Sequence, residues 1–235
     1  MTLILTTYDW VPEFPRGFVR DIRVRWLLEE LGRPYAVETV PLRNKTAAHL
    51  DSQPFHQVPF IREGDLTLFE SGAILLHLAE GTDLMPADRR PVVQQWLIAA
   101  LNSVEPFVMA WLIPKVFEKD EAAASRREPA LRQRLDQLQA ALDGRDWLAG
   151  DRFTVADLLM ADILRAPAGH GLLDDRHGLA AYLERATGRP AFRKALADQM
   201  AHWRAADDRR AAEPTEPGSE ANSRRPSPTA STEIR

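Results

Sequence analysis

The pattern of apolar residues changes once along the chain, at Asp83-Leu84-Met85-Pro86, and that change constrains the fold more than any single motif. Before it, strand-length and helix-length patterns alternate; after it, only helical spacing recurs. Thr2–Tyr8 (TLILTTY) is short, apolar and rich in β-branched residues, as a buried strand requires. From Gly17 the spacing turns helical, with Val24, Leu27, Leu28 and Leu31 at i, i+3, i+4 and i+7. Arg20, Arg23, Arg25, Glu29 and Glu30 take much of the remaining helix surface, and Gly32 and Pro34 supply the stop. Tyr35–Val40 reads as a second strand, followed by a polar stretch with Lys45, His49 and Asp51 that reads as a loop with a short helical turn. "QVPFIREGDLTLFES" predicts a hairpin, with strands at Pro59–Ile61 and Leu66–Phe69 around Glu63-Gly64-Asp65, and a helix from Ser71. Strand, helix, strand, hairpin and helix make a complete small α/β domain.

The second half reads differently. Residues 91–113 carry Trp96, Leu97, Leu101, Val104, Val108 and Trp111 at helical spacing, and 129–143 carry Leu131, Leu135, Leu138 and Leu142. A further helix begins within "RFTVADLLMADILRA", and others cover about 179–186 and 190–205. From Ala211 the sequence is poor in apolar residues and rich in Pro, Ser, Glu and Thr, so it cannot offset its ordering entropy by burial. The expectation is an α/β domain over residues 1–81, an all-helical bundle over 87–206 and a disordered tail over 211–235.

Composition narrows the function classes. A net charge of -4 shows no excess of positive charge, whereas a dedicated nucleic-acid binder usually carries a basic face. The chain has no cysteine, which removes disulfides, thiolate metal sites and a cysteine nucleophile. The six histidines show no H-x-x-x-H or comparable metal spacing. Neither a signal peptide nor a run of about 18 uninterrupted apolar residues is evident, so a soluble cytoplasmic protein is the expectation, with no membrane or nucleic-acid partner.

Three motifs remain. In "HQVPFI", Pro59 at the mouth of a strand suits a cis peptide bond, which would leave the backbone groups of Val58 free to pair with an extended peptide. A proline that blocks pairing at an edge strand fits the dipeptide equally well. In "FESGAILLHLAE", Ser71 stands where a hydroxyl can cap a helix, and the same terminus can hold a ligand carboxylate while Glu70 receives an ammonium group. In "FTVADLL", Thr154 and Asp157 form a capping box with Phe153 and Leu158 as a hydrophobic staple, a structural device without chemistry. Trp96, Met109 and Trp111 are either core or the lining of an apolar pocket.

The Q-V-P step, the E-S helix start, the W-L-L-E-E-L-G ending of the first helix and the T-x-x-D box, in this order, resemble the cytosolic glutathione S-transferases over residues 1–205. The resemblance implies a thioredoxin-like N-terminal domain, an all-helical C-terminal domain, a homodimer and glutathione as co-substrate, with no metal. It further implies that Gln57 and Val58 contact the cysteinyl backbone of glutathione beside a cis Pro59, and that Glu70 and Ser71 hold its γ-glutamyl end. Arg16 would lie near the same group, and Lys45 would meet the glycyl carboxylate.

Members of that family activate the thiol with a tyrosine ending the first strand, or with a serine or cysteine opening the first helix. Here the helix-start positions read Arg16, Gly17, Phe18 and Val19, which leaves Tyr8 in the tyrosine-type position, before a longer loop than such members usually have. Thr6 and Thr7 are alternative donors, and Tyr8 could also serve as packing alone. The implied activity is attack of the glutathione thiolate on a small electrophile. Alternatives are a glutathione-dependent disulfide or peroxide reductase, and a non-catalytic interaction protein that keeps the fold.

Overall fold

The computed structural model describes residues 2–142 and 144–212; from residue 213 onward the expected tail lies outside the described residues. Strand β1 (Leu3–Tyr8) sits inside a four-stranded sheet of order β2-β1-β3-β4. It runs parallel to β2 (Tyr35–Val40), with Leu5 opposite Val37, and antiparallel to β3 (Phe60–Glu63), with Leu5 opposite Ile61. The hairpin to β4 (Leu66–Phe69) closes the sheet. The parallel β1–β2 pair needs a crossover, and α1 (Asp21–Glu30) supplies it. This is the thioredoxin-like arrangement, followed by a helical half.

The helix expected from Gly17 starts four residues later. Gly17 has φ +82°, which cannot continue a right-handed helix, so residues 13–18 fold into turns instead. Three of the arginines expected on the outer surface of that helix divide unevenly. Arg20 stays partly exposed, while Arg23 and Arg25 are each only 3% exposed. The reason is that α1 is covered on several sides, by α3 (Ser71–Ala79), α7 (Val155–Gly169) and α9 (Pro190–Ala212). Arg25 is neutralised within its own helix by Asp21 at 2.7 Å. The short α2 (Ala47–Ser52) stands where the polar turn was expected.

In the helical half, α4 (Arg90–Ala99) and α5 (Glu105–Leu112) belong to one apolar run that reaches Glu118, broken by π-helical turns at Ala100–Val104 and Ile113–Glu118. Pro106 and Pro114 lack the N–H that the i→i−4 ladder needs, which accounts for both interruptions. Arg90–Glu118 is long and apolar enough to cross a membrane, with a mean hydropathy of 1.5 in its most apolar window, a third of which is buried in this chain. Helix α6 (Glu121–Ala141) begins two turns before the expected 129, because Asp120 caps it by accepting from the Ala123 N–H at 2.8 Å and Pro129 is tolerated within it. Helix α8 (His177–Thr187) and α9 complete the fold, and Ala211 and Ala212 end α9 rather than opening a tail. The core runs from Leu5, Trp26 and Ile74 through Leu97 and Trp111 to Leu159 and Tyr182.

Candidate active site

A cavity of about 910 Å³ opens where the C-terminal end of β1 faces the helical half. Tyr8, Val11, Phe14 and Phe18 line one wall, and Gln57 and Val58 stand beside Tyr8. Met109, Leu112 and Phe117 come from the α5 region, and Ile163, Ala166 and His170 from α7 and its end. The rings of Phe14 and Phe117 meet edge to face, centroids 4.9 Å apart. Of the three residues weighed as pocket lining, Met109 lines the cavity, Trp111 is buried in the core and Trp96 packs against the core.

Tyr8 ends β1 half-buried, and its carbonyl accepts from His202 Nε2 at 2.9 Å. Its hydroxyl oxygen is 3.4 Å from Lys45 Nζ. Thr6 and Thr7 are buried and do not line the cavity. The Val58–Pro59 peptide bond is cis. Two side chains that sequence reasoning left without a role stitch the segment before it. Buried Gln53 accepts through Oε1 from the N–H groups of Phe55 (2.6 Å) and Gln57 (3.1 Å). Buried His49 donates from Nε2 to the Gln57 carbonyl at 3.0 Å.

Ser71 does not cap its helix. Glu70 occupies the N-cap position without a side-chain bond, at φ +70°, a conformation that costs a non-glycine residue about 1–3 kcal/mol. Ser71 is the first helical residue, and its buried hydroxyl accepts from Arg23 Nη1 at 3.2 Å. A Cβ at Gly72 would stand 2.5 Å from Leu101 Cδ1, so a larger residue there would require the Leu101 side chain to move.

Arg23 joins this helix start to the cavity floor. It donates to Asp162 at 2.7 Å and to Glu105 at 2.7 Å, and Glu105 also accepts from Arg20 at 3.0 Å. Arg165 reaches the other oxygen of Asp162 at 2.8 Å. Burial opposes the charge of Arg23, but the two carboxylates outweigh it and hold its pKa above the ordinary arginine value. Arg16 is engaged elsewhere: Asp207 and the Val11 carbonyl take up its guanidinium. Among the described residues no group of three or more histidines and carboxylates could hold a metal ion.

The Thr154–Asp157 box is present as read. The Asp157 carboxylate accepts from the Thr154 N–H at 2.9 Å, from the Leu148 N–H at 2.8 Å and from the Tyr182 hydroxyl at 3.1 Å. Burial raises the pKa of Asp157 despite these bonds.

A model of the glutathione S-transferase N-terminal domain matches residues 6–80, and one of the C-terminal domain matches residues 85–190. The chain belongs to the cytosolic glutathione S-transferase family. Its relatives include glutathione S-transferase 3 of Zea mays, 34% identical over 75% of this chain and 88% of that one. Glutathione S-transferase F9 of Arabidopsis thaliana is 30% identical over 74% and 91%. Among solved structures, glutathione transferase F7 of Populus trichocarpa superposes with a TM-score of 0.74 at 26% identity, covering 85% of this chain and 99% of that one. A glutathione transferase of Burkholderia graminis, solved with two glutathione molecules bound per subunit, gives 0.71 at 26% identity over 83% and 87%. In this glutathione S-transferase, then, the sheet half carries Tyr8, Gln57 and Val58, and both halves supply the apolar wall.

Proposed function

We propose that the protein binds glutathione against Gln57, Val58, Pro59, Glu70 and Ser71, that Tyr8 stabilises its thiolate, and that the thiolate attacks a small apolar electrophile. The observation that carries this reading is one continuous cavity in which Tyr8, Gln57 and Val58 adjoin a wall of Val11, Phe14, Met109, Leu112 and Phe117. The backbone of Val58 is the expected partner of the cysteinyl unit. Arg23, bonded to Ser71, extends the γ-glutamyl end of the site toward the floor. Arg16 serves the site through its loop rather than by touching the ligand.

The energetics fit. A free thiol has a pKa near 8.5, and lowering it by about 2 units requires about 2.7 kcal/mol of preference for the thiolate. A phenolic hydrogen bond to an anion supplies about 1.5–3 kcal/mol. The chain has no cysteine, so the reacting thiol is glutathione's own.

A second reading is glutathione-dependent reduction of a small disulfide. It is supported by the cavity volume and by the Burkholderia graminis relative that holds two glutathione molecules per subunit. Turnover with a chlorinated aromatic and with a small disulfide separates the two, the aromatic being the expected substrate. Failure of the protein to be retained on immobilised glutathione would leave only the non-catalytic reading. A cytoplasmic homodimer belongs to the same proposal, supported by the half-exposed Ile98 of α4 and by exposed Phe55, and sedimentation tests it.

A further inference from the structure

Asp207, on α9, gathers the loop that follows β1. Its carboxylate accepts from Trp10 Nε1 at 2.8 Å, Arg16 Nη1 at 2.6 Å and Arg16 Nη2 at 2.7 Å. Arg16 in turn donates from Nε (3.2 Å) and Nη2 (3.0 Å) to the Val11 carbonyl, so the same guanidinium ties the loop to itself. Arg210 lies over the Trp10 ring, 4.2 Å from its centroid. Earlier on α9, His202 holds the Tyr8 carbonyl, and Gln199 Nε2 donates to the Val19 carbonyl at 3.1 Å and to Asp21 at 2.6 Å. Positions 199, 202, 207 and 210 share one side of a helix with 3.6 residues per turn. Both ends and the middle of the loop are thus held by α9.

Among the described residues none of α9 lines the cavity, whereas Val11, Pro12, Phe14, Pro15 and Phe18 of the loop do. Beyond Asp9, whose N–H donates to the Val40 carbonyl of β2 at 2.9 Å, the loop makes no backbone bond to the sheet and forms no helix; it is a series of turns around Gly17. The placement of residues 10–18 therefore rests on side-chain bonds, of which the charge-assisted ones to Asp207 are the strongest class. We propose that Asp207 is a positioning residue: by gripping Trp10 and Arg16 it sets the loop wall that receives the electrophile, and so governs which apolar groups the site accepts. This rests on the glutathione-binding reading above only for the choice of ligands.

The test compares glutathione with S-hexylglutathione, whose alkyl chain would lie against that wall. Both are titrated calorimetrically into wild type, Asp207→Leu, Asp207→Glu and Trp10→Phe, and hydrogen exchange is followed over residues 9–19. Losing the charged grip should weaken S-hexylglutathione about tenfold and glutathione by less than about twofold, with faster exchange of the loop amides. Asp207→Glu should recover part of the selectivity. Trp10→Phe, which removes one donor and is mild enough to fold, should show a smaller shift in the same sense. Equal weakening of both ligands, or an unchanged loop exchange, overturns the proposal. If wild type binds neither ligand, the glutathione reading fails, and the loop exchange alone decides whether Asp207 holds the loop.

Discussion

Lys45 Nζ stands 3.4 Å from the hydroxyl oxygen of Tyr8 and 5.2 Å from the centroid of its ring, so a cation faces the phenol that ends β1. A cation at that distance favours negative charge on a thiolate bonded to the hydroxyl. Tyr8→Phe should move the rising limb of the pH profile of kcat/KM up by about 1–2 units and slow turnover at pH 6.5 about 10- to 100-fold. Lys45→Met should shift the same limb in the same direction with a loss of about threefold that shrinks in high salt. A profile that does not move in Tyr8→Phe assigns the thiol to another donor.

Ser71→Ala separates binding from chemistry. The hydroxyl it removes accepts from a buried guanidinium, so the variant leaves an Arg23 N–H unpaired and should unfold about 1–2 kcal/mol more easily in urea. The KM for glutathione should rise about tenfold with kcat within about twofold, the pattern of lost uniform binding. A fall in kcat at constant KM would contradict the placement of Ser71 at the ligand's γ-glutamyl end.

Arg23→Met tests the cluster beneath the cavity. It would leave Glu105 with Arg20 alone and Asp162 with Arg165 alone, and removing one partner of a buried ion pair costs up to about 3–5 kcal/mol. Adding Glu105→Gln and Asp162→Asn removes the two under-compensated carboxylates, so the triple variant should regain part of the urea midpoint. A single variant as stable as wild type would show that the cluster contributes nothing net.

Asp207 supplies a pH prediction. Its hydrogen bonds from Arg16 and Trp10 lower its carboxyl pKa to about 2. A carboxyl depressed in the folded state stabilises the fold fully above its unfolded pKa near 3.9, and the contribution disappears as the pH falls from about 4 to about 2. The melting temperature of Asp207→Asn should therefore lie below wild type by a constant margin above pH 5, and the two should converge below pH 4. A margin that persists at pH 2 would place the effect outside this carboxylate.

Local sequence determined the backbone. Alternation over Tyr35–Val40, the Glu63-Gly64-Asp65 turn, the stop at Gly32 and the Thr154–Asp157 box all depend on residues within a few positions of one another, and each formed where the pattern placed it. Tertiary structure decided which charges lost their water. Nothing near Arg23 in the chain shows that Asp162, 139 residues away, lies on the helix that covers it. Nor does anything near Arg16 point to Asp207, 191 residues on. Ser71 carried a capping signal, yet packing against α1 turned its hydroxyl to Arg23. Desolvation is a property of whatever segment arrives from elsewhere to pack against a surface, so the helix pattern alone could not separate the buried Arg23 and Arg25 from the partly exposed Arg20.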